Sequence, residues 1–215
     1  MKLVTVMKNY HILMGDIVAS RKYRGDVLLR DFKSLVSSCN ADLASDILSP
    51  YTITLGDEFQ GIPSSLKSAL ESIFYLEEMS REKGLNFKLR YVLHYGEIKT
   101  PLNRQIAHEM TGAGLTKARR MLNEKKRGLP RFRFDLSNRM LTNQLNRLFS
   151  VLDSLTSEWQ QKDYSLINDM LKQGNNEAVG IKHGKNRTQI WKRRKRLRIN
   201  EYKTLRDVIF DFIKI

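Results

Sequence analysis

Between residues 10 and 137 the chain switches repeatedly between two hydrophobic periods. The order of those switches constrains the fold more than any other feature. Residues 10–14 form a short apolar run that predicts a buried strand, followed by Gly15 and Asp16. In "DVLLRDFKSLVSSCN", Leu28, Phe32, Leu35, Val36 and Cys39 fall on one helix face. "YTITLG" is β-branched and aromatic, which predicts a strand, and "FQGI" reads as its antiparallel partner. "SSLKSALESIFYLEEMSREKG" predicts a helix, with Ser64 or Ser65 at its start and Gly84 at its stop. "NFKLRYVLHYGEI" alternates as a strand and "AHEMTGAGLTKARRMLNEKKRG" reads as a helix. "PRFRFDLS" supplies a last strand with Pro130 at its first residue.

The order β-α-β-β-α-β-α-β predicts an α+β fold, a ferredoxin-like split-βαβ palm with a mixed sheet and helices on one face. After residue 137 the pattern becomes wholly helical. "RMLTNQLNRLFSVLDSL" carries Leu141, Leu145, Leu148, Leu152 and Leu155 along one stripe and reads as a connecting helix. The expected layout is a palm domain over residues 1–137 and an all-α domain over residues 138–215.

This topology gives the carboxylates of "YHILMGDIVASRKYRGD" and "TITLGDEFQGIP" a physical meaning. Asp16 ends the central strand and Asp57 sits at the tip of the hairpin beside it, so the two can converge at one end of the sheet. Two carboxylates near a helix start suit Mg²⁺ or Mn²⁺ held together with phosphate oxygens and water. Residues Ile17, Val18, Ala19, Ser20 and Arg21 would form the turn where backbone N–H groups meet phosphate, with Arg21 adding charge. A polar hairpin tip and a simple helix cap are the structural alternatives for these aspartates.

"GDIVASR", "TITLGDEFQ", "LRYVLHYGEI" and "GAGLTKARR" occur in this order and spacing, and together they resemble the SatD family of bacterial proteins. More distantly, residues 8–135 resemble the palm of class III nucleotide cyclases, GGDEF diguanylate cyclases and CRISPR polymerases. That resemblance implies that Asp16 and Asp57 bind the metal ions that hold a nucleoside triphosphate, with Glu58 as a third carboxylate. It also implies a helix with a transition-state arginine: Gly112, Thr116 and Arg120 stand at the cyclase offsets, with Arg119 beside the last. Thr116 replaces the asparagine of that pattern, and Thr54 and Leu55 stand where adenine-reading cyclases carry lysine. Cyclase domains build their site across a homodimer, which the resemblance extends to this chain.

The C-terminal stretch "KHGKNRTQIWKRRKRLR", residues 182–198, holds nine Lys or Arg and no acidic residue. With the preceding "EAVGI" it reads as a helix-turn-helix: Gly180 at a close helix crossing, Gly184 at the turn, Asn186 capping the second helix and Ile190 facing inward. It resembles the helix-turn-helix of SatD-like proteins and of region 4 of sigma factors, with His183 in place of leucine. On DNA, Arg187, Thr188 and Gln189 are the expected base readers, and Lys192, Arg193, Arg194, Lys195, Arg196 and Arg198 the expected phosphate contacts. Trp191 could pack against the domain or approach the DNA, and core packing is the expected role. "YKTLRDVIFDFIKI" would close the bundle or form a dimer contact.

The net charge of +15 predicts attraction to polyanions. The chain has no apolar run of membrane-spanning length and no signal-peptide pattern, and its one cysteine, Cys39, fits a reducing cytoplasm. The four histidines show no metal-ligand spacing, and no serine–histidine–carboxylate arrangement is evident. Three readings fit: a regulator whose palm binds a nucleoside triphosphate with Mg²⁺ and whose C-terminal domain binds DNA; an active nucleotidyl cyclase or oligonucleotide synthase recruited to nucleic acid; and a DNA-binding protein on an inert palm.

Overall fold

The structure, a computed structural model, describes residues 8–23, 25–124 and 128–214. The chain divides into two compact units. One takes the residues up to Glu77 with Phe87–Asn146; the other takes Glu78–Asn86 with the chain from Arg147 onward.

The first unit is built on β1 (Lys8–Ile17), α1 (Gly25–Asp42), β2 (Ile47–Ile53), β3 (Glu58–Pro63), α2 (Leu66–Glu82), β4 (Leu89–Ile98), α3 (Ala113–Asn123) and β5 (Phe132–Asp135). This is the element order read from the sequence. The five strands lie in the order β2-β3-β1-β4-β5. All neighbours pair antiparallel except β4 and β5, which run parallel. The strand order and directions are those of a split βαβ with one added edge strand.

The sequence expectation of helices on one face is corrected here. Leu28, Phe32, Leu35, Val36 and Cys39 are buried along α1, and Phe32 meets Phe59 on one sheet face at 6.2 Å between ring centroids. The Tyr91 hydroxyl donates to Glu77 of α2 on that same face. On the opposite face, Leu115, Ala118 and Leu122 of α3 pack on Ile12, Met14, Ile62 and Val92. The unbroken apolar run of β1 demands this, because a strand buried on both sides needs cover on both sides.

Two boundaries also differ for physical reasons. β2 begins at Ile47 and contains Pro50, which a strand at the sheet edge tolerates; its register with β3 shifts around Ser49. α3 begins only at Ala113, because the chain before it presses on β4: a Cβ at Gly112 would stand 2.4 Å from the Glu97 carbonyl oxygen, and one at Gly114 2.6 Å from the Gly96 carbonyl carbon.

α4 (Arg139–Ser157) follows β5, and the second unit continues with α5 (Tyr164–Lys172), α6 (Asn176–Lys182), α7 (Arg187–Arg196) and α8 (Ile199–Phe212). Its core holds Trp159, Ile167, Met170, Ile190 and Tyr202. The Trp159 indole donates to the Leu197 carbonyl at 2.8 Å, and its ring lies 5.0 Å from that of Tyr202. Arg81, also buried in this unit, lies over both rings.

Candidate functional site

In register, Asp16 on β1 stands opposite Glu58 on β3 and Arg90 on β4. Directly paired residues share a sheet face, so all three lie on the face covered by α3. At the hairpin tip Gly56 adopts φ +79°, a left-handed turn that glycine enters without steric cost. The Asp57 carbonyl then accepts from the Ile17 amide at 3.0 Å. That bond ties the tip of the hairpin to the end of β1.

As a result Asp16 and Asp57 line one cavity of about 440 Å³, together with Ile17, Ala19, Ser20, Arg21, Lys22, Arg90 and Leu129. Ala19 is held at φ +55°, an uncommon conformation for a residue with a Cβ. Strain of this kind, roughly 1 kcal/mol or more, gathers at functional loops.

Arg90 was not foreseen. Its Nε donates to Asp16 Oδ1 at 2.9 Å and its Nη2 to Oδ2, so Asp16 is clamped on both oxygens. A signal existed in "LRYVLHYGEI": a cation at an inward-facing strand position requires a buried partner.

The amides of Ile17 and Val18 donate to the carbonyls of Asp57 and Lys88. Both are therefore withdrawn from the phosphate-binding turn expected there, which leaves Ala19, Ser20 and Arg21 beside the cavity. Glu58 does not line it, and among the described residues no group of three His, Cys, Asp or Glu is placed to hold a metal. Two carboxylates on one cavity still fit Mg²⁺, which needs only one or two besides phosphate oxygens and water. Asp16 would have to share or release Arg90.

The arginine helix opens on a different cavity. Thr116 and Arg119 line a space of about 310 Å³ with Gln60, His108 and Glu109. Arg119 Nη2 donates to Gln60 Oε1 at 3.2 Å, and Gln60 Nε2 donates to the Ala107 carbonyl at 2.7 Å. Gln60 lies two residues beyond Glu58 on β3, hence on the same sheet face and about 7 Å farther along. Of the two expected arginines, Arg119 meets this cavity; Arg120 is exposed and does not line it. The Thr116 hydroxyl bonds back to the Gly112 carbonyl of its own helix.

In the second unit α6 and α7 are joined by a short turn. A Cβ at Gly180 would meet the Lys185 carbonyl oxygen at 2.4 Å, and Gly184 takes φ +60°. Asn186 and Gln189 form a reciprocal capping box: each side-chain oxygen accepts from the other's amide, at 2.8 and 2.9 Å.

The cap occupies the side-chain Oε1 of Gln189, one of the expected base readers, whereas no such bond holds the exposed Arg187 and Thr188 in the cap. Arg194 is corrected from a phosphate contact to a structural residue. It is buried, and its guanidinium donates to Asn176, to the Met170 carbonyl and to the Gln173 carbonyl. Arg193 pairs with Asp163, while Lys192, Lys195, Arg196 and Arg198 are exposed.

His183 and Lys182 both bond Asp169, each at 2.7 Å. Burial alone would raise the Asp169 pKa; the hydrogen bonds and charges of Lys182 and His183 outweigh it and hold the carboxyl below its ordinary value. Trp191, expected in the core, is 47% exposed. No helix among the described residues is long and apolar enough to cross a membrane.

The profile of the SatD family matches residues 10–200, and no curated protein matches the sequence. Among the solved structures that are similar at low identity are three nucleotide cyclases. One is the monomeric guanylyl cyclase domain of the RhoGC fusion protein from the aquatic fungus Blastocladiella emersonii: 15% identity, TM-score 0.39, 56% of this chain and 79% of that one. A bacterial light-regulated adenylyl cyclase gives 18%, 0.42, 61% and 45%. The guanylyl cyclase Cya2 gives 12%, 0.37, 53% and 68%. The fold rests on the strand order and register above.

Proposed function

The chain belongs to the SatD family, and for a member built in this way we propose that it is a cytoplasmic regulator. Its first unit binds a nucleoside triphosphate with Mg²⁺ or Mn²⁺, and its second unit binds DNA. The observation that carries the first half is the meeting of Asp16 and Asp57, from separate stretches of chain, on one cavity lined with Arg21, Lys22 and Arg90. The carboxylates would hold the ion. A bound Mg²⁺ would neutralise triphosphate oxygens and fix their orientation. Arg21, Lys22 and the loop at Ala19–Arg21 would take the remaining phosphate charge. The second half is supported by the exposed cations of α7 and by its capped, closely crossed helix pair, which suits a recognition helix.

The test is thermal unfolding with ATP, GTP, CTP and UTP, with and without Mg²⁺ or Mn²⁺, for the wild type and Asp57→Ala. Binding to the folded state raises the midpoint by mass action. A metal-dependent rise that disappears in the variant is expected. No rise with any triphosphate would return the palm to an inert scaffold joined to a DNA-binding unit.

A second reading, turnover as a nucleotidyl cyclase or oligonucleotide synthase, draws on Arg119. It lies on α3, which covers the sheet face that carries Asp16, but it lines a separate cavity. Turnover would need the two sets to meet, as they can between two copies in a homodimer. Product formation from labelled triphosphates, with sedimentation to read the oligomeric state, decides it. Absence of product at concentrations where the protein is dimeric sinks this second reading.

A further inference from the structure

We infer that the outer face of α7 meets duplex DNA, with Trp191 as its apolar contact to thymine methyl groups in the major groove. This rests on the reading of the second unit as DNA-binding and names the residue that touches bases. Two sides of α7 are already committed. Ile190, Arg194 and Leu197 are buried; Gln189 is held in the capping box; Arg193 is held by Asp163. Among the residues that remain exposed, Thr188, Trp191, Lys192 and Lys195 form one face at successive helical turns, with Arg187 and Arg196 exposed at its margins.

The chain has two tryptophans, and they are treated oppositely. Trp159 is 5% exposed with its indole N–H bonded. Trp191 is 47% exposed in the middle of the most basic stretch, with the Lys195 ammonium 4.2 Å from its ring centroid. A broad aromatic surface flanked by cations and a threonine calls for a partner that is anionic and offers an apolar feature at close range.

The charge decides among occupants. A second copy meeting this face with its own would set Lys192 and Lys195 against like charges. A membrane surface needs an extended apolar face, and this face has one aromatic residue among polar ones. Duplex DNA offers phosphates on the groove walls and, on its floor, one apolar group, the thymine C5-methyl. A helix entering the groove by its N-terminal half would carry Thr188, Trp191 and Lys192 to the base edges and leave Lys195 nearer the backbone.

The experiment uses the full chain. A random duplex pool is enriched by binding. Dissociation constants are then measured by fluorescence anisotropy for the wild type, Trp191→Ala and Trp191→Phe on the enriched duplex, and on the same duplex with uracil replacing thymine at the enriched positions. Heparin, which has sulfates and no bases, is the charge control. Trp191→Ala should lose roughly ten-fold in affinity and Trp191→Phe much less. Uracil should weaken the wild type several-fold while leaving Trp191→Ala unaffected, and heparin binding should not change.

Equal binding of thymine and uracil duplexes by the wild type overturns the inference. So does a Trp191→Ala loss that appears equally with heparin. If the wild type retains no duplex, the DNA-binding reading itself fails and this inference with it. Retention on phosphatidylglycerol vesicles in place of DNA would move the face to a membrane surface.

Discussion

Asp16 and Asp57 share a cavity but are held differently, and the difference separates their effects on stability from their effects on binding. Asp16 has both oxygens on Arg90, with side-chain exposures of 10% and 19% for the pair. Removing one member of such a pair leaves a charge without its partner in a mostly buried place. Asp16→Ala should therefore cost roughly 3 kcal/mol in urea unfolding, whereas Asp57→Ala at the hairpin tip should cost no more than about 0.5 to 1 kcal/mol. Equal losses would mean that the Arg90 clamp contributes nothing. Burial pushes the Cys39 thiol up to about 12, so iodoacetamide at pH 8 should leave it unmodified in the native state and alkylate it readily in urea. The two aspartates were legible in sequence because each follows a strand-like run and a glycine. Arg90 and Gln60 were not, because a polar residue inside an alternating strand discloses its role only once strand order supplies its neighbour.

Elements were read well where one period ran long. All five apolar positions assigned to the face of α1 are buried. Reading failed where tertiary contact set the boundary: the late start of α3 comes from close backbone approach at Gly112 and Gly114, and proline in β2 survives because the strand is an edge. The α7 stretch misled differently. Arg194 and Trp191 differ by three positions in a run of cations, and composition could not tell which of them turns inward. Gly180 gives a test at this scale. Gly180→Ala forces a Cβ against the Lys185 carbonyl oxygen at 2.4 Å, a clash with backbone that no rotamer relieves. The second unit should lose about 1 to 3 kcal/mol, read as a lower midpoint, and an unchanged midpoint would mean that the two helices can separate without cost.

For the whole molecule, acid and salt are the informative variables. Asp169 and, in the first unit, Asp135 are both held below their ordinary pKa. At Asp135 burial pulls upward and is outweighed by Lys117 and His94. A folded pKa below the unfolded value stabilises above the unfolded value and loses that stability as pH falls through the folded one. Both units should accordingly weaken from about pH 4 downward, and Asp169→Asn should flatten that acid limb. A limb unchanged in the variant would remove Asp169 from the account. If the second unit binds DNA as proposed, its affinity should fall steeply with salt on a chain of net charge +15. Lys195→Ala should lower the log–log slope by about one unit, and an unaltered slope would mean that Lys195 makes no phosphate contact.

The buried place of Arg81 beside Trp159 and Tyr202 bears on how portable the C-terminal part is. Glu78 accepts from the Tyr202 hydroxyl at 3.0 Å and pairs with Arg206, while Gln161 donates to the Gly84 carbonyl. The second unit thus draws part of its core from the end of α2, far upstream in the chain. A gene fragment beginning at residue 147 would encode the last turns of α4 and all of α5 to α8, with a hole where Arg81 belongs. Grafted onto another protein it should fold poorly unless residues 78–86 are supplied as a separate peptide, and complementation by that peptide, followed by circular dichroism, is the measure of how far this unit departs from a cassette that recombination could move in one piece.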